Sequence, residues 1–269
     1  MFKTSMSISP QPANFAPLLF AGYWELGIEK AAELGYDAVE LSLLDPSPEL
    51  LMRIADMVRQ KGLSVAAVAT GQSYYTDGLS LTNSDPAVQA KLLDRMKRFI
   101  DFLAPWQGCL IIGGVRGKLS AGPAEQDEQR QQALAVVRSY AEYARSTGVC
   151  VAIEPINRYE TNFLNTIAEA LSFADEVGLD NVVILADTFH MNIEEVSLAQ
   201  SLELAGERLG YVHLVDSNRR APGQGHLCFA EVVSVLRKIG FKGYINAEIL
   251  PWPDSETAAK LAIDYFHSL

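Results

Sequence analysis

A single-domain α/β protein of the (β/α)8 TIM-barrel type, spanning residues 1–269, is the fold the sequence predicts, and three observations carry that expectation. Eight short apolar or β-branched runs recur along the chain. Segments of helical periodicity lie between them, and many of those segments run into a glycine just before the next apolar run.

The predicted strands fall at 5–8, 38–43, 64–69, 109–113, 150–154, 182–187, 211–215 and 244–249. The clearest helical segments lie at 28–34, 86–103, 130–146, 166–177 and 229–239. Gly35, Gly62, Gly108, Gly148, Gly178, Gly210 and Gly240 each suit the left-handed position that closes a helix. A doubly wound nucleotide-binding sheet is the competing fold. Its glycine fingerprint is missing, because Gly113-Gly114-Val115-Arg116-Gly117 has the wrong spacing.

Composition narrows the function. Hydrophobic residues make up 49% of the chain, enough for one continuous core. A net charge of −11 without any Lys/Arg run argues against nucleic acid or an anionic membrane surface as partner, and favours a small molecule. No uncharged apolar stretch is long enough for a membrane span, and Met1-Phe2-Lys3-Thr4 lacks the apolar character of a signal peptide, so a cytoplasmic location is expected. Cys109, Cys150 and Cys228 are odd in number and widely spaced; buried free thiols are expected, with no disulfide and no zinc knuckle.

In a barrel of this kind, chemistry collects where strands end. Four consecutive strands end on, or contain near their ends, one possible metal ligand each: Glu154, Asp187, His213 and Glu248. A lone strand-end Glu pairs with an Arg, and a lone strand His is more often a core residue than a ligand. Four in succession favour a site. Three carboxylates and one imidazole suit a hard or borderline divalent ion with open positions; Mn2+ is the first choice, with Mg2+ and Co2+ as alternatives, and a closed structural zinc site is disfavoured.

With these residues in hand, the chain resembles the ketose 3-epimerases of the xylose-isomerase-like barrels, the D-tagatose and D-psicose 3-epimerases, along essentially its whole length. The resemblance implies metal ligation by Glu154, Asp187, His213 and Glu248. It also implies substrate contacts from Glu160, six residues after the first ligand, His190, three after the second, and Arg219, six after the third. Further segments are similar to the 5-keto-L-gluconate epimerases: Thr70-Gly71-Gln72-Ser73-Tyr74, Ile111 to Gly117, Asn157-Arg158-Tyr159-Glu160-Thr161 and Ser217-Asn218-Arg219-Arg220. That subgroup implies a sugar-acid substrate. Arg116, Arg158, Arg219 and Arg220 are chemically suited to clamp its carboxylate, or else to pair with the abundant acids.

The implied activity is inversion of C3 in a ketose or keto-sugar acid through a cis-enediolate. Glu154 and Glu248 would act as opposed acid/base groups and the metal would stabilise the developing charge. Metal-dependent sugar or hydroxypyruvate isomerases on the same scaffold are the alternative. A three-zinc endonuclease is disfavoured by the four histidines and the acidic balance, and both glutamates speak against a silent sugar-binding barrel. The family further implies a homo-oligomer. Tyr74, Tyr75, Phe189 and Trp252 are candidate pocket walls; His226 is expected on a solvated loop and His267 on the surface.

Overall fold

Strands buried on both faces favour apolar side chains on both sides, which is why most of the predicted strands read as near-continuous apolar runs rather than alternating ones. The computed structural model describes residues 2–13 and 16–269; Met1, Asn14 and Phe15 lie outside the described residues. Its strands are β1 (Lys3–Ile8), β2 (Ala38–Ser42), β3 (Ser64–Ala69), β4 (Cys109–Ile112), β5 (Cys150–Ile153), β6 (Val182–Asp187), β7 (Leu209–His213) and β8 (Tyr244–Ala247). All pair in parallel with their sequence neighbours, and β1 pairs with β8 to close an eight-stranded barrel.

The helices are α1 (Trp24–Leu34), α2 (Pro48–Gln60), α3 (Gly71–Tyr75), α4 (Pro86–Leu103), α5 (Pro123–Arg145), α6 (Ile167–Val177), α7 (Thr188–Glu194), α8 (Leu198–Ala205), α9 (Phe229–Lys238) and α10 (Ser255–His267). Their starts are chemically marked: Ser47 caps α2 ahead of Pro48, Asp85 caps α4 ahead of Pro86, and Thr166 and Glu169 form a reciprocal capping box on α6. Helix α5 begins seven residues earlier than expected, at Pro123 rather than Arg130. Its opening turns carry Glu125, Gln126, Asp127 and Glu128 and show no apolar period to read.

The main core lies between barrel and helices; a smaller one fills the barrel interior with Ala38, Ala66, Ala67, Ala69, Ala152, Ile111, Leu185 and Tyr211. Among the described residues, no helix is long and apolar enough to cross a membrane.

Two expectations need correction. Cys109 and Cys150 are not free: they are register partners on β4 and β5, their Cα atoms are 4.7 Å apart, and they form a disulfide. Parallel pairing joins positions 41 residues apart, a proximity that cysteine counting does not see. Cys228 is free but exposed, ahead of α9. Gly108 and Gly210 are also not left-handed, unlike the other five glycines expected to be so. They are required by close approach instead: a Cβ on Gly108 would lie 2.8 Å from the Val65 carbonyl oxygen, and one on Gly210 2.6 Å from the Val183 side chain.

Candidate active site

The C-terminal ends of β5, β6, β7 and β8 bring Glu154, Asp187, His213 and Glu248 to one point. One donor atom from each lies within 4.8 Å of all the others. His213 Nδ1 is the hub, 3.6 Å from Glu154 Oε1, 3.5 Å from Asp187 Oδ2 and 3.6 Å from Glu248 Oε2. Space for Glu154 comes from Gly113 after β4, since a Cβ there would collide with the Glu154 carboxylate. Asp187 divides its two oxygens: Oδ1 accepts from the Phe189 backbone N–H at 2.7 Å and starts α7, which leaves Oδ2 turned to the cluster.

The electrostatics are those of acidic groups crowded together out of water. Burial, with Glu248 and Asp187 adding to it, pushes Glu154 up to about 8, against the pull of His213. Burial likewise pushes Glu248 up to about 7, with Glu40 and Asp187 adding to it and His213 and Arg219 opposing. For Asp187, burial acts upward too, but His190, His213 and Arg219 outweigh it and bring the group down to about 2. His213 is held well above its ordinary value: burial resists the charge and the surrounding carboxylates, Glu40 and Glu248 foremost, override it. Asp187 Oδ2 and His213 Nδ1 are buried without a hydrogen-bond partner. Orphaned donor atoms that converge among mutually repelling carboxylates are what a divalent-cation site requires, so the residues fit a metal.

Glu160, His190 and Arg219 all line the cavity above this cluster, together with Tyr75, Thr70, Gln72 and Ser42; the cavity measures about 440 Å3. Arg219 Nη1 reaches Glu160 Oε1 and its Nη2 reaches Glu248 Oε2, each at 3.4 Å. Its guanidinium lies 4.9 Å from the centre of the Phe189 ring. Arg219 has a φ of 61°, a left-handed backbone that costs a side-chain-bearing residue roughly 1–2 kcal/mol. Bonds from its N–H to the Asp216 carbonyl and from Leu250 N–H to its own carbonyl, both 2.8 Å, hold it there. Burial lowers His190 to about 4, so its ring is neutral.

The other three arginines expected near a substrate carboxylate are engaged elsewhere. Arg116 is fully buried and donates to the backbone carbonyls of Glu154 and Leu164. Arg158 pairs with Glu194, and Arg220 covers the Trp252 ring at 4.4 Å. Of the candidate aromatic walls only Tyr75 lines the cavity; Tyr74 packs against Tyr75, Phe189 supports Arg219, and Trp252 is exposed outside. His226 is exposed and bonded to Ser217.

Two residues were not anticipated as site residues. Asn157 is buried and donates from Nδ2 to both His190 Nδ1 (2.7 Å) and Glu160 Oε1 (3.1 Å). Glu40, in the middle of β2, is fully buried and 3.0 Å from His213 Nε2. The signal for Glu40 was present: it is the one charge within the otherwise uncharged strand Ala38–Ser42.

The family described as "Xylose isomerase-like TIM barrel" matches residues 28–269. The chain belongs to this family. Within it, the protein is 37% identical over 239 residues to L-ribulose 3-epimerase of Methylomonas sp. (strain DH-1), covering 86% of this chain and 82% of that protein. It is 38% identical over 227 residues to 3-dehydro-D-guloside 4-epimerase of Escherichia coli (strain K12), covering 80% and 83%. Among solved structures, D-allulose 3-epimerase from Methylomonas sp. in complex with D-allulose superposes with a TM-score of 0.81 at 28% identity, covering 100% of this chain and 98% of that one. This xylose isomerase-like barrel is thus a carbohydrate epimerase, an isomerase of the ketose 3-epimerase group, with a group of side chains that could hold a metal.

Proposed function

We propose that the protein is a divalent-metal-dependent epimerase that inverts C3 of a free, uncharged ketose. Glu154, Asp187, His213 and Glu248 would hold the ion, with Mn2+ the first assignment and Mg2+ or Co2+ the alternatives. A divalent ion bound there supplies Lewis-acid stabilisation of the negative charge that develops on two adjacent substrate oxygens when a neighbouring carbon loses its proton.

The chain's own groups account for the rest. Inversion at a carbon next to a carbonyl needs a proton removed from one face and returned to the other, so two acid/base groups must flank the carbon. Glu154 and Glu248 reach the cluster from β5 and β8, the two outer strands of the four that carry it, so a carbon held between them has one carboxyl group on each side; in the metal-free protein burial raises both groups above the ordinary carboxylate range. Arg219 and neutral His190 are donors for substrate oxygens, and Glu160 is an acceptor for a hydroxyl. The names of the two relatives describe inversion beside a ketone: C3 next to the C2 carbonyl of ribulose, and C4 next to an oxidised C3.

The observation that carries this reading is the convergence of two raised carboxyl groups on one orphaned imidazole nitrogen at the floor of a sugar-sized cavity. The uncharged substrate is supported by the placement of the arginines: Arg219 is the one cation lining the cavity among the described residues, and Glu160 and Glu248 already engage it. The test is a product assay with Mn2+ on neutral ketoses (D-allulose, L-ribulose, D-tagatose) and on 5-keto-L-gluconate and D-tagaturonate. Turnover of neutral ketoses is expected. A preference for the acids would reject the uncharged-substrate assignment, and aldose formation would reject epimerisation in favour of aldose–ketose isomerisation.

A further inference from the structure

A chain of polar side chains crosses the barrel interior below the cavity, and its hydrogen bonds run in one direction. Ser5 Oγ donates to Asn246 Oδ1 at 2.8 Å, so Ser5 has no proton left for the Tyr211 hydroxyl 3.0 Å away, and Tyr211 is the donor of that pair. Asn246 Nδ2 donates to Ser7 Oγ at 2.8 Å, which leaves the Ser7 proton for Glu40 Oε1 at 2.7 Å. Every donor in this path points towards the Glu40 carboxylate. Ser5, Ser7, Glu40, Asn246 and His213 are all fully buried, so none of these groups has water as an alternative partner.

Glu40 Oε2 then meets His213 Nε2 at 3.0 Å. The two residues come from β2 and β7, which are not sheet neighbours, so this bond spans the barrel. Glu40 is no part of the four-residue cluster, and the proposed chemistry leaves its buried charge unused. An acceptor-only carboxylate requires its partner to donate, which keeps a proton on Nε2; in the neutral ring that metal ligation requires, the lone pair is then on Nδ1, the nitrogen that faces Glu154, Asp187 and Glu248.

We propose that Glu40 is a positioning residue for metal binding: it selects the Nε2–H form of His213 and holds the ring so that Nδ1 is the ligand atom. This rests on the assignment of His213 to a metal site. Outer-sphere carboxylates of this kind typically change metal affinity by about 10- to 100-fold.

Two measurements test it, neither of which needs turnover. Mn2+ titrations by calorimetry compare the wild type with Glu40→Leu, which removes the acceptor, and Glu40→Gln, which keeps a carbonyl acceptor in place. The Leu variant is expected to bind about 10- to 100-fold more weakly, with the Gln variant recovering part of the loss. A general structural role would not be rescued in that order. Proton NMR of the Co2+-loaded wild type, which needs no variant to fold, is expected to show a metal-shifted imidazole N–H that disappears in D2O.

A folded Leu variant binding within twofold of wild type would overturn the proposal, as would a Co2+-loaded wild type lacking the exchangeable resonance. A wild type that binds neither ion would instead reject the metal-site assignment on which the proposal rests.

Discussion

Asn157 Nδ2 lies 2.7 Å from His190 Nδ1 and makes that nitrogen an acceptor, so the single proton of the neutral His190 ring is on Nε2, 3.9 Å from Asp187 Oδ2. The same amide holds Glu160 at 3.1 Å, so one buried side chain orients two groups assigned to the substrate.

Replacing Asn157 with Ala should therefore weaken substrate handling without touching the metal cluster. Loss of a buried bonding partner costs about 1–3 kcal/mol, and kcat/KM is expected to fall about 10- to 100-fold. Steady-state kinetics alongside a Mn2+ titration checks this. Unchanged kinetics would remove Asn157 from the account, and a parallel loss of metal affinity would show that its influence reaches beyond the substrate groups.

Gly113→Ala should abolish metal binding while leaving the barrel folded, because the new methyl group occupies the place of the Glu154 carboxylate. Gly178→Ala is the control. There the cost is that of a left-handed alanine, about 1 kcal/mol of stability, with no neighbour closer than 3.8 Å and no effect on the site. Circular dichroism and Mn2+ titration of both variants separate the cases. Wild-type metal affinity in Gly113→Ala would contradict the placement of Glu154.

The metal-free protein should lose stability as pH rises. Glu154 and Glu248 titrate at about 8 and about 7 in the folded state, above the value near 4.5 of an unfolded chain, so the folded state holds protons that the unfolded state has released. Their stabilising contribution is complete below about pH 4.5 and is lost through the window up to about 8; His213, also raised, adds to the loss above its ordinary 6.5. Asp187, lowered to about 2, acts in the opposite sense but has finished titrating well below this window. A bound cation replaces those protons, so the rise in Tm on adding Mn2+ should be larger at pH 8.5 than at pH 6. Thermal unfolding with chelator and with excess Mn2+ at both pH values measures it, and an equal rise at both would count against the buried-carboxyl picture.

The barrel was legible because strands covered on both sides are predominantly apolar, and Val182 to Ala186 is a continuous apolar run between two helical segments. The four cluster residues were legible for the complementary reason: each is a metal-ligating side chain at or near the end of such a run, on four strands in succession. What stayed hidden depends on register and on sides of the barrel. Cys109 meets Cys150 because β4 and β5 align them, and Glu40 meets His213 across 173 residues of chain. The four strand-end arginines looked alike in sequence, yet Arg116 turns to the Glu154 and Leu164 carbonyls, Arg158 to Glu194 and Arg220 to the Trp252 ring, which leaves Arg219, of the four, lining the cavity.

The most direct test of the two-carboxylate account is solvent exchange at C3, followed by NMR in D2O with each epimer of a turned-over ketose separately, in Glu154→Gln and Glu248→Gln. Each variant keeps one acid/base group on one face. Each should therefore exchange the C3 hydrogen of only one epimer, the opposite one in the two variants, and neither should convert one epimer into the other. Interconversion of the epimers by either single variant would contradict the account.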